Sequence, residues 1–286
     1  MTAVDDIMVA DASDLRPVAL AGVRAPRRTR RSLSRVAAPA AVLVGVLAAW
    51  TFVSTKLLDQ SQRFLLPTPN EVVRVGLLDG ANRAELLSGL WSTAQVALIG
   101  LTISVVVGVA LAVVMSQARW VEHAVYPYAV VLQTIPILAV VPLLGFWFGF
   151  DSKSRVIVCV LVSIFPIITN TLFGLQSVDA GHHDLFSLHG STRWHRLRHL
   201  QLPAAVPSML TGMKISAGLA VIGAIIADFF FRQGEPGIGR LIDVYRQRLA
   251  TEQLLSALLL SSLVGLCLFW AFDLLALHVQ RRRGHS

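Results

Sequence analysis

Apolar and polar residues separate along this chain into long blocks. Five stretches hold no Asp, Glu, Lys or Arg: Val36 to Thr55, Leu86 to Ala118, Ala124 to Phe150, Val156 to Val178 and Gln253 to Phe272. A hydrocarbon core of ~30 Å needs about 20 helical residues, so each block is long enough to cross one. A sixth block, Ala205 to Phe231, is interrupted only by Lys214 and Asp228. The pattern predicts an all-α polytopic membrane protein with six transmembrane helices. Backbone groups in lipid must be satisfied within the segment, and these runs are too long and too uniformly apolar for barrel strands.

Between the blocks the pattern changes. The segment LLPTPNEVV, 65–73, carries Pro67 and Pro69 ahead of a short amphipathic helix. The third span contains Pro136 and Pro142, and the fourth contains Pro166 with Asn170 and Thr171 one turn later. Such helices face protein or a cavity, where neighbours satisfy the freed backbone groups. The loop 179–203 is expected to form two short helices and a hinge. Leu185 and Leu188 share one face of the first, Gly190 offers a permissive break, Ser191 or Thr192 caps the second, and Leu202-Pro203 closes the loop.

Composition supports the membrane class: 55% of the 286 residues are hydrophobic, only 15% are charged, and mean hydropathy is +0.65. The net charge of +8 gathers at the ends. Six arginines lie within residues 24–35, and Arg281, Arg282 and Arg283 follow the last span. With six spans both termini share a side, and the segments on that side hold 14 Lys/Arg against 10 on the other. The positive-inside bias makes that side cytoplasmic. A basic run beside a span orients it and meets anionic membrane lipid, so no nucleic-acid partner is expected. Cys159 and Cys267 fall inside spans and read as packing residues. The five histidines between His182 and His199 match no zinc-ligand spacing, and no metal site is expected.

The loop resembles the EAA motif of ABC-importer permeases, the inner-membrane components of binding-protein-dependent transport systems. Asp184 stands at the acidic place, Leu185 and Phe186 at the two alanine places, Gly190 at the glycine, Leu200 at the branched apolar place and Leu202-Pro203 at the end. The blocks LLPTPNEVV, QTIPILAVVPLLGFWFGF (133–150), SIFPIITNTLFGL (163–175), GMKISAGLAVIGAIIADFF (212–230) and GIGRLI (237–242) are similar to the nitrate, sulfonate and taurine branch. Residues 1–35 read as a basic, disordered cytosolic tail and 281–286 as a second one, and the resemblance implies a permease domain over 36–280 with its coupling loop at 179–203. It implies localisation in the cell membrane and coupling to a separate ABC ATPase through Asp184, Leu185, Phe186, Leu188, Gly190, Leu202 and Pro203. Further partners would be an extracytoplasmic substrate-binding protein and a second permease copy. No Walker-type GxxxxGK[ST] occurs in the chain, so no cofactor is expected on it and ATP is expected to be hydrolysed by the partner subunit.

No catalytic residue is expected. The translocation pathway is assigned to Gln133, Thr134, Asn170 and Asp228, with either Arg232 at i+4 as a local partner of Asp228 or a gating contact from Asp228 to another helix. Lys214 is expected to snorkel or to meet a headgroup or carbonyl. Ser208, Gly212, Ser216, Ala220, Ala224 and Asp228 recur every four residues, a stripe expected to face another helix and to slide during transport. The implied substrate is a small organic anion, such as a sulfonate or taurine, or nitrate; a vitamin or pyrimidine precursor is the alternative. An ion-coupled secondary carrier would want paired midplane charges and an internal repeat, and an intramembrane enzyme would want HExxH or GxSxG. None of these is present.

Overall fold

The computed structural model describes residues 31–59 and 61–283. The tail expected over residues 1–35 lies outside the described residues up to Arg31, where the first helix begins, as do 284–286 of the expected C-terminal tail. The chain divides into two units, residues 1–49 and 50–286. In the first, the described residues belong to helix α1 (Arg31–Phe52).

The second unit contains α2 (Pro69–Glu71), α3 (Gly80–Gln117), α4 (Arg119–Thr134), α5 (Ile137–Phe148), α6 (Ser152–Gln176), α7 (Ala180–Leu188), α8 (Arg193–Arg196), α9 (Leu202–Phe230), α10 (Ile238–Gln247) and α11 (Thr251–Arg283). The Thr68-Pro69-Asn70-Glu71 segment makes α2 start as its sequence requires. Thr68 Oγ1 accepts from Glu71 N at 3.3 Å, while Glu71 Oε2 accepts from Thr68 N at 2.7 Å. That reciprocal pair is a capping box.

Five helices are each long and apolar enough to cross a membrane, among them α3, α6, α11 and a stretch running from Arg193 through α9. The block expected as the third span is not one straight helix. Its halves, α4 and α5, meet at 101°. The cause is Pro136. It cannot donate a helical hydrogen bond, and it drives Ile135 into an extended conformation at φ −65°, ψ 126°. The broken pair still counts as a crossing. Gln176, at the end of α6, donates to Glu122 of α4 at 2.8 Å, whereas α5 leads into the start of α6 through residues 149–151. The chain therefore passes from one end of α6 to the other through α4 and α5.

The core lies where α3, α6 and α9 meet, around Ala97, Leu101, Cys159, Ile167, Ala217, Ala220 and Ala224. Small side chains let these backbones approach, and close packing replaces the hydrophobic drive that lipid cannot supply. At Gly212 a Cβ would lie 2.7 Å from the Pro166 carbonyl oxygen and 2.9 Å from Asn170 Cβ, and one at Gly174 would lie 2.9 Å from Ala205 Cα. The large apolar side chains point outward instead, including Val106, Phe173, Leu259 and Leu274.

Candidate functional site

The loop between α6 and α9 forms the two short helices its pattern predicts. Asp179 caps α7 by accepting from Gly181 N at 2.9 Å. The helix ends in a Schellman turn, with Ser191 N donating to Phe186 O and Gly190 N to Ser187 O, both at 3.0 Å. Gly190 sits there at φ +64°, in the left-handed region that disfavours any side chain. Thr192, rather than Ser191, caps α8 by accepting from His195 N at 3.2 Å. Arg196 Nη2 donates to Ser187 Oγ at 3.0 Å and joins the two short helices.

The result is a braced corner that presents apolar side chains outward. Leu185 is 51% exposed and Leu188 85%. Asp184 is also exposed on α7, while Phe186 is half-buried with its ring 6.2 Å from that of His195. Leu202 and Pro203 stand apart, in the first turn of α9, where a proline needs no helical donor. Of the expected coupling residues, the structure thus groups Asp184, Leu185, Phe186, Leu188 and Gly190 on one element, with Leu202 and Pro203 at the root of the next.

The four expected pathway residues do not converge. Gln133 lines a 380 Å³ cavity in the elbow between α4 and α5, closed by Leu144, Trp147, Phe165, Pro166 and Leu219. Thr134 Oγ1 is turned onto its own helix, donating to Val131 O at 2.9 Å. Asn170 Nδ2 donates to Pro166 O at 2.8 Å. Neither lines that cavity.

Asp228 lies near the far end of α9, buried in a polar knot. Its carboxylate pairs with Arg155 of α6 and accepts from Thr93 Oγ1 of α3 at 2.6 Å and from Gly239 N of α10 at 3.2 Å. Arg155 Nη1 also donates to Glu235 O at 3.3 Å, and Thr93 Oγ1 accepts from Ile238 N at 2.8 Å. Three spans and the segment leading into α10 are thereby held together. The expected Asp228–Arg232 pair does not form. Arg232 approaches Asp243 at 3.4 Å instead, because the helix ends at Phe230 and carries Arg232 off the face of Asp228. Beside the knot, Tyr245 Oη donates to Glu85 Oε2 at 2.9 Å. Burial, reinforced by that carboxylate, pushes the Tyr245 phenol up, so it remains a donor throughout the physiological range.

Lys214 also has a partner the sequence did not reveal. It pairs with Asp273 of α11 and lies 5.8 Å from the centre of the Phe269 ring. The small-residue stripe of α9 faces α6 within the same chain. Ser216 Oγ donates to Ser163 O at 2.6 Å, and Ala220 O accepts from Cys159 Sγ at 3.4 Å. With the Arg155–Asp228 pair at its end, this face is joined to α6 by polar contacts along its length. Arg155, Thr93 and Asp273 escaped sequence reasoning. The available signal was depth, since Arg155 and Asp228 each lie near a helix end, and those ends meet in the fold.

The model of the family described as "binding-protein-dependent transport system inner membrane component" matches residues 104–284, more than half of the chain. The chain belongs to this family. As such a permease it is a multi-pass inner-membrane protein and a transport subunit, not an enzyme, of a type that works with an ATPase and a substrate-binding protein. It is 35% identical over 191 residues to the formylaminopyrimidine transport permease protein ThiX of Halalkalibacterium halodurans, covering 67% of this chain and 74% of that one. It is 30% identical over 236 residues to the putative aliphatic sulfonates transport permease protein SsuC of Escherichia coli, covering 82% and 88%. Other relatives are named for riboflavin, nitrate and bicarbonate transport, which places this permease in the nitrate and sulfonate branch. A chain of the MetNI methionine ABC transporter, solved in inward-facing conformations, shares the fold with a TM-score of 0.61 at 17% identity, over 70% of this permease and 99% of that chain.

Proposed function

We propose that this permease forms a translocation pathway with a second copy of itself and is driven through α7 by an ATPase subunit that hydrolyses ATP on its behalf. The supporting observation is the braced corner at 179–203. An exposed apolar pair on a short helix, fixed by a Schellman turn and the Arg196–Ser187 bond, suits insertion into a groove of another protein. The corner runs directly into α9, so a push on α7 is delivered to the α6–α9 pair. Both termini are assigned to the cytoplasm, with α7 and α8 on the same side.

The decisive variants are Gly190→Pro and Asp184→Arg. Proline cannot adopt φ +64° and removes the donor to Ser187 O; the second variant reverses charge beside the docking face. Both are expected to insert normally and to lose transport together with substrate-stimulated ATP hydrolysis. Normal transport with normal ATPase stimulation in both would remove α7 from the coupling.

For the substrate, we take the elbow cavity as part of the pathway; its apolar lining suits a planar, neutral nitrogen heterocycle of the aminopyrimidine kind better than a sulfonate, taurine or nitrate. Gln133 and the indole of Trp147 offer its only side-chain hydrogen-bonding groups, and no cationic residue lines it. An inorganic anion placed there would lose hydration without a compensating charge. Uptake of a labelled aminopyrimidine, competed by nitrate and by taurine, separates the readings. Competition by the anions alone would return the substrate to the sulfonate and nitrate class.

A further inference from the structure

At the end of the bundle that carries α7 and α8, two hollows of 600 and 120 Å³ share Ser116, His183 and Gln201. Three arginines and two histidines line them. Arg119 and His123 enter from α4, His183 from α7, and Arg193 and Arg196 from α8. The single acidic residue in the lining, Glu122, is engaged by Gln176 Nε2 at 2.8 Å. Among the described residues no carboxylate pairs with Arg119, Arg193 or Arg196. Arg196 Nε is buried with no hydrogen-bond partner. Three guanidinium groups face one carboxylate across the two adjoining hollows, an excess of positive charge that a bound anion would offset, and forked guanidinium donors match phosphate oxygens.

We propose that this cleft binds a phosphate-bearing anion, supplied either as a phospholipid headgroup or as free phosphate. Its position suits the lipid source. It opens where α3 and α6 end, beside Trp120, which is 75% exposed. A basic pocket between spans at the membrane surface is a setting in which anionic headgroups lodge. The bound anion would bridge α4 on one wall to α7 and α8 on the other. The inference rests on the permease reading only in placing this end of the bundle at a membrane surface, and it requires nothing of ATPase coupling.

The test uses the full-length permease purified with its ATPase, incubated separately with phosphatidylglycerol, with phosphatidylcholine and with inorganic phosphate. Native mass spectrometry reads retained ligand, and thermal melting reads the stabilisation. Retention of phosphatidylglycerol over phosphatidylcholine, with a raised melting temperature, is the expected result. Stabilisation by inorganic phosphate alone would support the site and name the free anion as its source. Replacing both exposed arginines, Arg119→Gln and Arg193→Gln, should weaken anion binding roughly thirtyfold. The charge-matched pair Arg74→Gln and Arg248→Gln, on the opposite end, should leave it unchanged. Should the cleft double variant fail to fold, Arg193→Gln alone carries the comparison, at roughly fivefold. Equal retention of both lipids with no effect of phosphate, or undiminished binding by the cleft variants, would overturn the proposal. Basal and stimulated ATP hydrolysis, measured in the same preparations, keeps failure of the site distinct from failure of the coupling reading.

Discussion

Asp228 and Arg155 show how context sets the cost of a charge. Each alone in an apolar span would be expensive, yet they pair with one another out of water, with Thr93 and the Gly239 amide on the carboxylate, and only Arg155 Nε among their polar atoms is left buried without a partner. Removing one member strands the other, so Asp228→Asn or Arg155→Gln should each cost about 3–5 kcal/mol of stability. The combination Arg155→Met with Asp228→Leu should recover much of that, because no buried charge is left unpaired. Melting temperatures in detergent check this: a double variant no more stable than either single one would contradict the account. Lys214 and Asp273 make a more exposed pair. Exchanging their charges, Lys214→Asp with Asp273→Lys, should restore the expression lost in either single variant if the contact fastens α11 to α9.

Among the elements, α9 was legible in its face but not in its partner. Four-residue spacing of small residues correctly indicates a close helix contact, since only small side chains allow the approach seen at Gly212. The sequence could not tell which helix lies opposite, nor that Ser216, Cys159 and Arg155 would fasten the two together. Ala224→Leu is expected to lower expression and stability, because Ala224 is fully buried, whereas Ile222→Leu, on the exposed face, should be tolerated. Quantitative expression and melting of the two variants decide it; equal tolerance would mean that the α6–α9 seam is looser than its packing indicates. The third span was legible as a length of apolar residues containing prolines. Its break was not, because a proline inside a span can kink a helix or end it, and the 101° turn depends on Ile135 leaving the helical region.

Across the whole molecule, the order of spans and the short helices of the 179–203 loop could be read from residue types and spacing, because each is a local property of the chain, and the family from the resemblance of its sequence blocks. The long-range pairs could not, since they depend on which helix ends meet. The orientation proposed from the lysine and arginine bias predicts that reporter fusions at Ser286 are active only in the cytoplasm, and activity on the other side alone would reverse the assignment of every loop. The knot at Asp228 has a further bearing, on biosynthesis. Arg155 enters the membrane before its counter-ion exists, because Asp228 is encoded 73 residues later. At about 5–20 residues per second of translation, that leaves an interval of roughly 4–15 s. Until Asp228 is made, the guanidinium at the end of α6 has no carboxylate to meet, so the junction of α3, α6 and α9 can close only after α9 has been synthesised.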